Sequence, residues 1–201
     1  MDWKKAGVWT GAVLTALLIL LFSFKFVAMD DNYQKTLITP RLAEFHSDVL
    51  KYLLGFSESV PTAFSKEESS HISDVRKLFK KIFVATYALL ALWFLALLSL
   101  RDKQLVKKSL RLGAVTSLII VLIIFIASLI SFTSFFNAVH EPFFTEKSWI
   151  FTSDSLLITL YPESFFQTMA LRWGIIVFFT SVIIGLLQYC LNGSGGGGAG
   201  H

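Results

Sequence analysis

Two histidines carry the clearest chemical potential in this chain: His71 in SKEESSHISDVRKLF and His140 in SFFNAVHEPFF. Both stand just outside hydrophobic stretches. Glu68 and Asp74 flank the first, and Glu141 adjoins the second. Imidazole titrates near neutrality, so a pair of them can take and return a proton at physiological pH. A histidine near a span end is more often structural than catalytic, but paired polar groups at a lipid boundary mark chemistry rather than packing. No two ligands here share the spacing of a zinc motif, so no metal is expected. No G-x-S-x-G elbow and no phosphate-cradling loop are present, so no serine route, ATP or other cofactor is expected.

The elements that must position these residues are membrane helices. The chain is 54% hydrophobic and 15% aromatic, with 20 Phe, far from a soluble composition. A spanning helix needs roughly 20 apolar residues, and four runs qualify, at about 7–28, 82–100, 112–136 and 173–191. The first follows Lys4 and Lys5 but is longer than a secretory core, and no small-residue cleavage site follows it. It reads as a retained span. The expected fold is an all-α membrane protein, a four-transmembrane-helix bundle with helical extracytoplasmic loops at about 29–81 and 137–172. A single domain is expected over 1–192, with GSGGGGAGH at 193–201 a linker or tag remnant. Cys190 has no partner and makes no disulfide. The net charge of +4 suits anionic lipid and gives no reason to expect nucleic acid.

Lys4, Lys5, Arg101, Lys103, Lys107, Lys108 and Arg111 crowd two short segments on one face. The other face spreads its basic residues among acids along two long loops. Charge density in short segments therefore places both termini in the cytoplasm and both histidines at the outer leaflet. In the first loop, Thr39-Pro40 predicts a helix start. Apolar residues then recur at helical spacing to Leu54, and Gly55 supplies the stop. That helix lies either in the headgroup plane or against the span ends, and His46 on its apolar face reads as structural.

Ser65-Lys66-Glu67-Glu68 is a capping-box pattern that predicts one helix of about 35 residues running on through Leu100. His71, Val75, Leu78 and Ile82 share its packed face. On the third span, Ser128, Ser131, Ser134 and Asn137 form a polar stripe. Phe132, Phe136 and His140 recur every four residues, and Pro142 ends the helix. Beyond it, Trp149 and Tyr161 suit an interfacial belt, and Asp154 adds charge where a polar pocket would be needed.

The segments YLLGF, FSKEESSHISDVRKLFKKIF and FFNAVHEPFFTEKSWIFTSDSLLITLYPESFF closely resemble the bacterial lipoprotein intramolecular transacylase family, Lit, and the likeness covers nearly the whole chain. The resemblance implies a metal- and ATP-independent acyltransferase of the bacterial plasma membrane. It would move the sn-2 acyl chain of a diacylglyceryl-modified N-terminal cysteine to that cysteine's α-amino group, leaving a lyso-form lipoprotein. The partners it implies are diacylglyceryl-modified lipoproteins and membrane lipids, with no obligate protein partner. The family's catalytic histidine pair falls on His71 and His140.

The residues themselves allow His71 as base, oriented by Asp74 or Glu68, and His140 as acid or oxyanion stabiliser, or the reverse. Asn137, Arg76, Tyr161 or backbone amides are candidate oxyanion donors, and Glu141, Trp149 and Asp154 are supporting residues. A membrane ester hydrolase would release free fatty acid instead. A non-enzymatic tetraspan scaffold would tolerate loss of both histidines.

Overall fold

The computed structural model describes residues 3–144 and 148–193, with side chains as far as Leu187. The Cys190 side chain and the tail from Ser194 onward lie outside it. The described residues form eight α-helices and one 3₁₀ turn, with no strand among them. The helices are α1 (Trp3–Ala28), α2 (Asp31–Thr36), α3 (Ala43–Leu54), α4 (Lys66–Leu100), α5 (Lys103–Ile130), α6 (Phe132–His140), α7 (Leu156–Leu160) and α8 (Glu163–Gly193). α1, α4, α5 and the Glu163–Leu187 part of α8 are long and apolar enough to cross a membrane. This is the expected four-span, all-helical membrane architecture.

α4 begins where the capping box predicts. The Glu68 N–H donates to Ser65 Oγ at 3.1 Å and the Ser65 N–H donates to Glu68 Oε2 at 2.8 Å. At 35 residues the helix is about 52 Å long, against roughly 30 Å of bilayer hydrocarbon. Its first sixteen residues hold every charge it carries, from Lys66 to Lys81. Only the run from Ile82 onward suits lipid.

Two local expectations change. The third apolar run, expected at about 112–136, is not one helix. α5 stops at Ile130, and Ser131 is extended (φ −161°, ψ 105°), with its Oγ accepting the Ser134 N–H at 3.2 Å to cap α6. Ser128 instead donates to the Phe125 carbonyl. A serine hydroxyl can support a helix or start a new one, and here it divides the stripe. The Phe132, Phe136, His140 spacing survives because all three lie on α6. Thr39 makes no side-chain cap bond, and Pro40–Leu42 is a 3₁₀ turn leading into α3. Gly55 does end α3 in the left-handed region at φ 86°. The Gly55 N–H donates to Tyr52 O and the Phe56 N–H to Lys51 O, a Schellman closure.

The chain divides into two compact units. The first comprises the described parts of Met1–Ser23, Ala85–Ile124 and Trp173–His201. It packs through small residues and short hydroxyl bonds. A Cβ on Gly113 would lie 2.5 Å from Thr15 Cβ and 2.7 Å from the Ala12 carbonyl, so only glycine permits this close helix approach. Ser109 donates to the Val8 carbonyl, Trp93 to Thr15 Oγ1, and Ser117 and Ser181 bond across 2.7 Å.

The second unit comprises Phe24–Val84 and Phe125–Arg172. Its core joins Val49 and Tyr52 of α3 to Ile72 of α4, Leu157 and Leu160 of α7, and Phe165 of α8. The apolar face of α3 is thus covered by protein rather than by headgroups. Burying these side chains is worth roughly 1.5–3 kcal/mol each, enough to fix α4 and α7 around the histidines.

Candidate active site

Ile72, buried in the core of the second unit, fixes the rotation of α4 and holds the adjoining His71 at 8% exposure. The His71 ring packs against Phe144 at 4.9 Å and Phe151 at 5.6 Å between centroids. His140 ends α6, its ring on Phe136 one turn earlier at 3.9 Å and near Phe144 at 5.5 Å and Trp149 at 5.9 Å. Phe144 touches both imidazoles. Its contribution was not legible in the sequence, where it is one of many phenylalanines.

His71 stands eleven residues before the apolar run of α4. Burial first, and then the charge that His140 can carry, lower its pKa to about 4 against the opposing pull of Asp74. Burial also lowers His140, partly offset by a bond between its Nδ1 and the Phe136 carbonyl at 2.7 Å. That carbonyl can only accept, so His140 keeps its proton on Nδ1 and presents the Nε2 lone pair. Both rings are neutral at pH 7.

Asn137 lies one turn before His140 on the same face of α6. The Trp149 indole N–H donates to its Oδ1 at 3.2 Å. Indole can only donate, so Asn137 turns its oxygen to Trp149 and leaves its NH₂ for another acceptor.

The carboxylates expected to orient His71 are otherwise occupied. Asp74 takes Lys77 Nζ at 2.9 Å. Glu68 accepts the Ser65 N–H with one oxygen and the Leu157 N–H, at 2.8 Å, with the other. Burial raises the Glu68 pKa, but these donors outweigh it and hold the group ionised. Glu68 therefore ties the start of α7 to the start of α4. His71 Nδ1 is buried and has no hydrogen-bond partner among the described residues.

Tyr161, at the other end of α7, bonds His46 Nδ1 at 3.0 Å. His46 is 1% exposed, and its Nε2 faces Asp31 Oδ1 at 3.6 Å, too long for a hydrogen bond. Burial lowers its pKa, so it is a neutral ring rather than half of an ion pair. The Asp31 charge favours the proton on Nε2, which makes Nδ1 the acceptor of the Tyr161 O–H. Tyr161, its own pKa raised by burial and by Asp31, thus spends its one proton on His46 and has none for an oxyanion. His46 is structural, as expected, in a network the sequence did not reveal.

The structure therefore brings together His71, His140, Asn137 and Trp149, and places Glu68 and Tyr161 at the two ends of the helix beside them. Arg76 lies over the Tyr52 ring at 4.4 Å. Glu141 and Asp154 are exposed. Arg172 donates to Asp30 Oδ2 at 2.6 Å and stacks on Tyr33 at 3.7 Å.

Fold and site define an all-helical integral membrane protein with two neutral imidazoles in an aromatic cluster outside its apolar spans. Residues 7–166 match the model of the lipoprotein intramolecular transacylase family, Lit, and the chain belongs to that family. The family is one of acyltransferases.

The in meso structure of the membrane integral lipoprotein intramolecular transacylase Lit from Bacillus cereus superposes with a TM-score of 0.80. The two chains are 18% identical, and the superposition covers 96% of this chain and 97% of the other. A second structure of that protein, carrying a histidine-to-arginine mutation, gives 0.77 at 18% identity over 96% and 93%. At that identity the likeness carries the fold. An uncharacterized protein of Aquifex aeolicus (strain VF5) is 26% identical over 131 residues, 60% of this chain. The match spans 57% of that relative's length, little more than half.

Proposed function

We propose that the protein is a lipoprotein intramolecular transacylase. It moves the sn-2 acyl chain of a diacylglyceryl-modified N-terminal cysteine to the α-amino group of the same cysteine, giving the lyso-form lipoprotein. Its termini are cytoplasmic and its histidines face the outer leaflet, where such lipoproteins are anchored. The observation that carries this reading is the pair of neutral imidazoles on one phenylalanine, His140 presenting a free Nε2.

An α-amino group has a pKa of about 8, so part of it is neutral at pH 7. The amine nitrogen attacks the ester carbonyl, and His140 Nε2 takes the proton that nitrogen must lose. The tetrahedral oxyanion accepts hydrogen bonds from the Asn137 NH₂ and from the N–H of neutral His71. When the carbon–oxygen bond to glycerol breaks, His140 returns its proton to the departing oxygen. One amide and one hydroxyl replace one ester and one amine, with no net proton change.

An imidazole with a pKa near 4 is almost never charged at pH 7, so His71 serves better as a donor from its neutral form than as the base. Donor and acceptor belong to one substrate molecule, so the enzyme need only hold a near-attack geometry, worth up to about 7–11 kcal/mol. Glu68 and Tyr161 are positioning residues, acting through α7 and not on the substrate.

Expression in cells that accumulate diacylated lipoprotein tests the reading. Mass spectrometry of the N-terminal peptide should show an N-acyl, S-monoacylglyceryl cysteine. Free fatty acid with an unblocked amine would mean hydrolysis, and an unchanged diacyl peptide would mean no chemistry on this substrate.

A further inference from the structure

The turn between α4 and α5 holds a feature that the transacylation does not use. A cavity of about 390 Å³ is walled by Leu97, Leu98, Val106 and Leu110 and also lined by Arg101, Asp102, Lys103 and Lys107. Both flanking helices are apolar spans joined by only two residues, so the turn sits where hydrocarbon meets headgroups.

Two of its residues are locally disfavoured. Arg101 has φ 52°, the left-handed conformation that suits glycine and costs any residue with a Cβ. Lys103 opens α5, where the helix dipole opposes a cation and no acid occupies the first turn. Both are exposed, and neither forms an ion pair among the described residues. Asp102, the acid of the turn, accepts the Gln104 N–H at 2.8 Å.

We propose that this cavity binds a phospholipid with an anionic headgroup. An acyl chain lies along the leucine and valine wall, and Arg101 and Lys103 hold the phosphate. The charge complementarity is that of a net basic rim at an apolar wall, three cations against the single acid Asp102, with Arg101 and Lys103 in positions that local backbone energetics resist. A bound phosphate satisfies both cations and offsets what the backbone opposes.

Purified full-length protein in nonionic detergent is titrated with phosphatidylglycerol or with phosphatidylcholine of the same chains, and the melting temperature is followed. Phosphatidylglycerol should give a saturable rise that phosphatidylcholine does not. The variant Arg101→Gly/Lys103→Gln should bind it roughly 30-fold more weakly, on the basis of two interfacial cations. Without lipid the variant should melt at the parent temperature or above, because glycine suits the turn and glutamine removes an adverse dipole contact. Arg101→Gly alone should give an intermediate loss of affinity.

As a control for general surface charge, Lys80→Gln/Lys81→Gln should keep the full response. An equal response to the two lipids, an undiminished response in the turn variant, or equal losses in both charge pairs would overturn the proposal.

Discussion

The two units differ in how completely they satisfy buried polarity. In the first, the buried Thr15, Ser109, Ser117 and Ser181 are all bonded to near neighbours at 2.7–3.1 Å. In the second lie all three buried side-chain polar atoms without a partner among the described residues: His46 Nε2, His71 Nδ1 and Arg172 Nη1. An unmade hydrogen bond in a buried site costs about 1–3 kcal/mol. The second unit bonds Gln34, Ser47 and Glu68 as fully, so what sets it apart is the few open atoms, one of them on His71.

The sharpest way to break this contrast is to enlarge Gly113. Gly113→Leu should abolish folded protein in the membrane, and Gly113→Ala should cost about 1–3 kcal/mol through overpacking. The alanine variant should keep the activity of the parent per folded molecule, measured by normalising turnover to the folded fraction. A selective loss of turnover in Gly113→Ala would mean that the first unit has a direct share in the chemistry.

Glu68→Gln probes the other side. Its amide offers one oxygen where Ser65 and Leu157 each need an acceptor, so one backbone N–H is left unsatisfied. The expected loss is about 1–3 kcal/mol of stability. Turnover should fall more than apparent substrate affinity, and Glu68→Asp should restore neither contact fully. Unchanged turnover at permissive temperature would remove Glu68 from the positioning frame.

The histidines set the pH dependence. His46, His71 and His140 all have pKa values below the ordinary 6.5 in the folded protein. The unfolded chain therefore binds more protons below pH 6.5, so stability should be flat in their titration above 6.5 and fall steadily below it. For His71 the fall continues to about pH 4. Activity should keep rising from pH 6.5 to 8, by about 15-fold, as the substrate amine loses its proton. A plateau starting at 6.5 would mean that an ordinary histidine, and not the amine, limits the rate.

The smallest effect is expected at Tyr161. Removing its hydroxyl in Tyr161→Phe should cost about 1 kcal/mol of stability and lower turnover only through α7. A loss as large as that of a catalytic histidine would mean that its proton reaches the substrate after all.

What the sequence disclosed was local. Hydrophobic runs, the Ser65–Glu68 capping box and the Phe132, Phe136, His140 spacing each depend on residues within a few positions, and periodicity reads them directly. The bond from Glu68 to Leu157 spans 89 residues and that from His46 to Tyr161 spans 115. No local pattern encodes either. Glu68 looked free to orient His71 because its second partner lies on a distant helix. The break at Ser131 was hidden for another reason: a serine in an apolar run reads alike whether it supports the helix or caps the next one. Residue type and position singled out the two histidines, the family resemblance paired them, and geometry supplied the tautomer of His140 and the surroundings of both.

The most direct test of the central claim is the turnover of His71→Ala and His140→Ala, purified and given diacylglyceryl lipopeptide, with the N-terminal product identified by mass spectrometry and melting temperature measured alongside. Each variant should lose transfer by about 10²–10⁴-fold while remaining folded, its melting temperature lowered only modestly by the ring contacts it gives up. Either variant forming N-acylated product at the parent rate would contradict the assignment of this site.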